Sequence, residues 1–133
     1  CPCIIFTLGT ATTISVIDAD KAFAGGCIMP GVSISLNALT AKSALLSAIG
    51  LEAPERVIGK NTEDCMKSGV VLGTAAMLDG MCERIEEELG SPCSTVATGG
   101  LANVIVPSCK RRIDLRDDLI LEGLRIIYNR NII

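Results

Sequence analysis

Phe6-Thr7-Leu8-Gly9-Thr10-Ala11-Thr12-Thr13 is a small, hydroxyl-rich loop set between two apolar, β-branched runs. Cys3 to Leu8 and Thr12 to Ile17 have strand composition, so the stretch predicts two strands joined by a tight reversal. One glycine and its threonines line that reversal with hydroxyl and amide donors. Such donors suit a phosphate tail, because no bulky side chain keeps its oxygens away from the backbone. A plain glycine-centred hairpin with surface threonines fits the same eight residues. The rest of the chain has to separate these readings.

With 133 residues, 49% of them apolar, the chain predicts one globular domain, residues 1–133, with a substantial core. It opens on Cys1 rather than Met and enters strand composition at once, which reads as a segment of a longer protein. A net charge of −3 argues against a nucleic-acid or anionic-membrane surface. The Lys110-Arg111-Arg112 cluster precedes Asp114, Asp117 and Asp118 and reads as a solvated turn. Apolar runs are broken well short of the ~18 residues of a membrane span. The seven cysteines form no C-x-x-C pair and histidine is absent, which excludes His-ligated zinc and His-dependent nucleophiles. Reduced thiols at these spacings suit the cytoplasm.

In chain order, Asp18 to Lys21 is a polar turn and Ala22 to Met29 a third strand, giving an antiparallel meander with Gly25-Gly26 as a bulge or close approach. From Val32 to Ile49 the positions Val32, Leu36, Leu39, Leu46 and Ile49 predict an amphipathic helix ended by Gly50. Asn61, with Asp64 as reciprocal acid, caps a long helix over about Thr62 to Leu89. Its apolar stripe runs through Met66, Val70, Met77, Met81, Ile85 and Leu89. A second line, Gly69, Gly73, Ala76 and Gly80, reads as a packing seam within the domain or across a homodimer, and Glu83 to Glu88 as a solvated acidic tail. Cys93 to Thr98 is a strand feeding Gly99-Gly100 and a short helix, Leu101 to Val106, whose start would present free N–H groups. The Gly pair serves equally as turn punctuation. Ile113 to Arg116 is extended, and Asp118 caps a last helix with Leu121, Leu124, Ile127 and Tyr128 available to the core. The fold class is α/β: a three-stranded antiparallel meander extended into a mixed sheet with packed helices.

Six motifs, in order and in register, resemble the type III pantothenate kinases. They are Gly9-Thr10-Ala11-Thr12-Thr13, Gly25-Gly26-x-Ile28-x-Pro30-Gly31, Ile58 to Thr62, Ser68-Gly69, Ala97 to Ala102, and Leu121 to Asn131 with Gly123, Tyr128 and Arg130 inside it. The resemblance spans nearly the whole chain. It implies the actin-like, ribonuclease-H-like kinase fold, with this chain as the C-terminal half of a two-lobed protein whose N-terminal lobe lies outside it. It further implies a cytoplasmic homodimer that phosphorylates pantothenate with ATP, the first step of coenzyme A synthesis, with a divalent metal (Mg) and a monovalent cation (potassium or ammonium). Position by position, it makes Gly9 and Thr10 contacts to the nucleotide phosphates, Gly99 and Gly100 the turn that passes the nucleotide, and Thr62 a contact to pantothenate.

Two departures accompany it. Thr7 stands where the family carries the aspartate that ligates the monovalent cation, and one hydroxyl is a weaker donor than a carboxylate. The family's catalytic base, an aspartate in a Gly-x-Asp-Arg stretch, lies upstream, so these 133 residues alone are expected not to turn over. The competing expectation is a non-catalytic, dimeric regulatory or binding protein of the same fold.

Overall fold

The computed structural model describes residues 1–43 and 49–132. Strands β1 (Cys3–Leu8), β2 (Ala11–Ile17) and β3 (Phe23–Pro30) form the meander, and β4 (Ser94–Thr98) and β5 (Asp114–Leu115) complete a five-stranded sheet of order β3-β2-β1-β4-β5. The first three strands pair antiparallel, while β4 runs parallel to both β1 and β5. A strict alternation sets the faces: Ile4, Phe6 and Leu8 are fully buried, as are Ile14 and Ala97 opposite Phe6. Burying side chains of this size contributes roughly 1.5–3 kcal/mol each, so this face of the sheet anchors the domain.

The bulge falls where the two glycines predict it. Register shifts between Val16 and Ile17, leaving Ala24 unopposed, and a side chain on Gly26 would run into the Ile14 carbonyl. The turn before it is closed by the Asp18 carboxylate, which accepts from the N–H groups of Asp20 and Ala22, both at 2.9 Å.

Helix α1 (Val32–Lys42) is shorter than the Val32–Ile49 expectation. Ser43 is already extended, and Ile49 and Gly50 are irregular; Leu46 lies outside the described residues. Val32 and Leu36 reach the core but Leu39 is exposed, so packing no longer rewards further turns.

The long helix is present as α2 (Thr62–Lys67), a π-helical turn (Ser68–Leu72) and α3 (Gly73–Leu89). Asn61 caps it: its carbonyl oxygen accepts from the Asp64 N–H at 2.8 Å, and its amide donates to the Asp64 carboxylate at 2.9 Å. The wide turn displaces the stripe. Beyond Met66 and Val70, the buried line is Val71, Ala75, Leu78 and Cys82, and the expected Met77, Met81, Ile85 and Leu89 pack only partly against the core. An unforeseen i→i+5 turn shifts every later position by about one residue.

Three further expectations are corrected. The small line is no seam among the described residues, because a methyl added at Gly69, Gly73 or Gly80 would meet none of their atoms within 4 Å. The acidic tail is not merely solvated and Arg111 is not part of a solvated turn: Glu86 and Arg111 pair with each other, both largely withdrawn from water. Finally, α5 (Leu119–Asn131) buries no residue, and Leu121, Leu124, Ile127 and Tyr128 all face solvent. Its start also lacks a side-chain cap from Asp118, whose backbone carbonyl instead accepts from the Glu122 N–H at 2.9 Å. Among the described residues, no helix is long and apolar enough to cross a membrane.

Candidate functional site

Because β1 and β4 are parallel neighbours, their C-terminal ends lie side by side, and both lead into glycine turns. At the first, the Gly9 N–H donates to the Ala11 carbonyl at 3.1 Å, closing the hairpin and leaving Thr10 exposed at its tip. At the second, Gly99 adopts φ +102°, and a Cβ there would lie 2.5 Å from the Leu8 carbonyl oxygen. That oxygen accepts from the Leu101 N–H at 3.2 Å, so the second turn is anchored on the residue that enters the first. Gly9, Thr10, Gly99 and Gly100, far apart in sequence, are thus gathered at the C-terminal ends of two neighbouring strands.

A third glycine joins them. A Cβ on Gly31 would sit 2.0 Å from the Thr10 carbonyl oxygen, so the entry to α1 presses on the hairpin tip. The Pro30-Gly31 pair just ahead of a helix was the available signal for it. Around Gly100 nothing lies within 4 Å of a built Cβ, and at Gly9 only the Ala11 carbonyl oxygen is met, at 4.0 Å. Bare backbone and the Thr10 hydroxyl therefore border open space, a surface that an extended phosphate chain can approach closely. The expected free N–H groups at the start of α4 (Ala102–Ile105) are partly spent, since Leu101 and Ala102 donate to Leu8 and Gly99.

Thr7 is half-buried one residue before the end of β1, in register with Thr13 on β2 and Thr98 on β4. Three neutral threonines in a row supply no carboxylate. Among the described residues no group of three His, Cys, Asp or Glu side chains could hold a metal, and Thr7 brings one neutral hydroxyl to this position.

Thr62 is the exposed first residue of α2 and lines a groove of about 990 Å³ between α1 and the long helix. Leu39, Met66, Val70 and Met77 make its apolar lining, Gly73 leaves room on the helix side, and among the described residues Lys60 is the one charged side chain on its wall. Gly9, Thr10, Gly99 and Gly100 do not line this groove.

Lys67, which sequence reasoning passed over, and Ser68, known there only as part of a motif, hold the groove's edge in place. The Lys67 ammonium, almost enclosed, contacts Glu52 at 2.7 Å and Glu63 at 2.8 Å. Its bond to Glu52 first, then that to Glu63, keeps it protonated well above the usual lysine range, and the same contact holds the Glu52 carboxyl below its ordinary value. The Ser68 hydroxyl donates to the Val57 carbonyl. Together they clamp residues 52–60, the segment delivering Gly59 and Lys60, onto the start of the π turn. A side chain on Gly59 would strike the backbone of Asp64 and Cys65, so this segment lies flat on α2.

The chain's other engaged carboxylates do structural duty. Asp79 accepts from the Lys110 and Arg111 N–H groups at 2.8 and 3.1 Å, Asp64 serves the cap and Asp18 the hairpin turn. Burial pushes the Cys82 thiol up to about 11 and Cys109 up to about 12, so both are inert, protonated packing groups.

Comparison with known proteins bears on these placements. The sequence profile of type III pantothenate kinase matches residues 1–84. A type III pantothenate kinase of Rhodococcus erythropolis is 44% identical over 134 residues, covering 98% of this chain and 49% of its own length. Another, from Thermomicrobium roseum, is 46% identical over 97% of this chain and 50% of itself. The chain thus spans about half the length of the curated relatives it matches. Among solved structures, a protein of Campylobacter jejuni described as a conserved Baf family transcriptional activator superposes with a TM-score of 0.69 at 21% identity. It covers 96% of this chain and 57% of its own, which establishes a shared fold. The profile covers more than half of the chain and the relatives nearly all of it at 44–46% identity, and on that ground the chain belongs to the type III pantothenate kinase family.

Proposed function

We propose that this chain is the half of a two-lobed, actin-like kinase that passes the ATP phosphates and carries part of the pantothenate site, in a protein that phosphorylates pantothenate at the entry to coenzyme A synthesis. The observation that carries this reading is the seating of the Gly99-Gly100 turn on the Leu8 carbonyl, the residue that leads directly into Gly9-Thr10, beside open space. In this reading Thr10 and the bare turns orient the phosphates, while Thr62 and the groove beside it receive pantothenate. A divalent ion bound to the ATP phosphates beside Thr10 would supply neutralisation of their charge. The pantothenate hydroxyl attacks the γ-phosphorus, its proton passing to the aspartate of the other lobe as the bond to the ADP oxygen breaks. The cytoplasm is the expected compartment, and the glycine-lined face of the long helix is the proposed homodimer seam. Thr7 offers the monovalent cation one neutral hydroxyl where the family carries a carboxylate, so the ion would be held more weakly, and no step is routed through it.

Coupled ADP release from ATP and pantothenate, measured on the longer protein that contains this chain, tests the reading. Activity with Thr7, and potassium stimulation only after Thr7→Asp, is the expected result. A second reading, a non-catalytic regulatory relative, draws on the description of the Campylobacter jejuni neighbour. A full-length dimer that releases no ADP would favour it.

A further inference from the structure

Helix α5 is amphipathic, yet none of its residues is buried against the described residues of this domain. Ile120, Leu121, Leu124, Ile127 and Tyr128 are between 57 and 70% exposed. At 3.6 residues per turn these five positions fall within an arc of ~120°. The opposite side carries the Glu122–Arg125 ion pair at 2.5 Å and Asn129. A 13-residue helix is marginal in water by itself, and a contiguous apolar face of this size marks a contact surface.

We infer that this face is the docking surface for the other half of the longer chain, the half that the family relatives possess and this chain does not match. Three observations select that occupant. The relatives cover 97–98% of this chain, so α5 lies inside the matched stretch, and they carry as much chain again outside it. The solved neighbour likewise aligns with 96% of this chain using 57% of its own. Third, an arc of ~120° is wider than the narrow seam of a two-helix pair and matches a helix seated in a globular core, which disfavours pairing with a second copy of α5. Thus α5 acts as a strap joining the two lobes, and its sequence is apolar for a partner that is covalently attached. The inference rests on family membership and not on the phosphoryl-transfer reading.

Backbone hydrogen exchange tests it without reference to activity. Two samples are compared: this 133-residue chain, and the same chain joined to the unmatched half of the Rhodococcus erythropolis relative. The α5 amides should exchange at least a hundredfold more slowly in the joined protein. Ile127→Glu or Leu124→Glu should abolish that protection, whereas Ile126→Glu, away from the arc, should keep it. Should the joined protein not fold, the segment of the intact Rhodococcus erythropolis relative that aligns with residues 119–131 supplies the same measurement. Equal exchange in short and long chains overturns the inference. So does a 133-residue chain that protects α5 by itself as a dimer and loses both dimer and protection on Ile127→Glu.

Discussion

Arg111 and Glu86 are joined by two parallel bonds, the guanidinium meeting both carboxylate oxygens, and Arg111 also donates to the Cys93 carbonyl at 2.9 Å. The Cys93 N–H returns to the Glu86 carboxylate at 2.7 Å, so one ion pair fixes α3, the start of β4 and the loop before β5.

This pair should make the domain sensitive to acid. Arg111 foremost, then the Cys93 N–H, holds the Glu86 carboxyl below the usual carboxylate range. Its stabilising effect is therefore complete above the unfolded glutamate value near ~4.3 and is lost as pH falls through the lower folded value. Glu86→Gln should cost on the order of 2 kcal/mol at pH 7 and flatten the loss of stability below about pH 4. Urea unfolding midpoints across pH 2.5–7 check both; parallel profiles for the two proteins would contradict the assignment.

Gly99→Ala should be among the costliest single changes. The residue's φ of +102° disfavours a side chain, and the added carbon would sit against the Leu8 carbonyl. A loss on the order of 3 kcal/mol is expected, read as a fall in thermal midpoint, while Gly100→Ala, beside open space, should stay within about 1 kcal/mol.

Asn61→Ala removes the cap of the long helix and should cost about 1 kcal/mol, with Asn61→Ser restoring most of it. Chemical unfolding of the three proteins decides this. Equal stability would mean that the π turn and core contacts alone hold the helix start.

Gly73→Leu separates folding from association. Among the described residues nothing lies within 4 Å of the position, and a helical Gly-to-Leu change favours the helix by up to ~1 kcal/mol, so the melting temperature should hold or rise. If the groove side of the long helix is the dimer seam, sedimentation velocity should nonetheless shift toward monomer. An unchanged profile would remove that face from the interface.

In the longer protein, Thr10→Ala should lower kcat/KM for ATP and Thr62→Ala should raise KM for pantothenate, each by roughly tenfold, the scale of one hydrogen bond. Steady-state kinetics in both substrates checks the split. Crossed effects would reassign the two threonines.

Much of this was legible in the order of residues. The alternation of Ile4, Phe6 and Leu8 against Thr7 specifies β1 and its buried face, because a period of two has one geometric solution. The Gly-Thr and Gly-Gly turns were readable as candidates; that the second is anchored on the residue that enters the first was not, since parallel pairing of β1 with β4 is a long-range event. The stripe of α3 was misplaced because a π turn leaves no periodic mark before it happens. Arg111 looked solvated because its partner Glu86 is distant in sequence. The stripe of α5 was recognised correctly as apolar, but periodicity reports that a face needs cover and never what provides it.

The position of β1 in the middle of the sheet also sets a schedule for synthesis. Within this domain β1, β2 and β3 leave the ribosome before β4 and can close as a meander, yet one edge of β1 stays unpaired until β4 emerges. At ordinary elongation rates, the interval between Leu8 and Ser94 lasts on the order of ten seconds. For that time the strand bearing Ile4, Phe6 and Leu8 presents open backbone to any neighbouring nascent chain, which makes it the segment where chaperone shielding or slowed aggregation should count most.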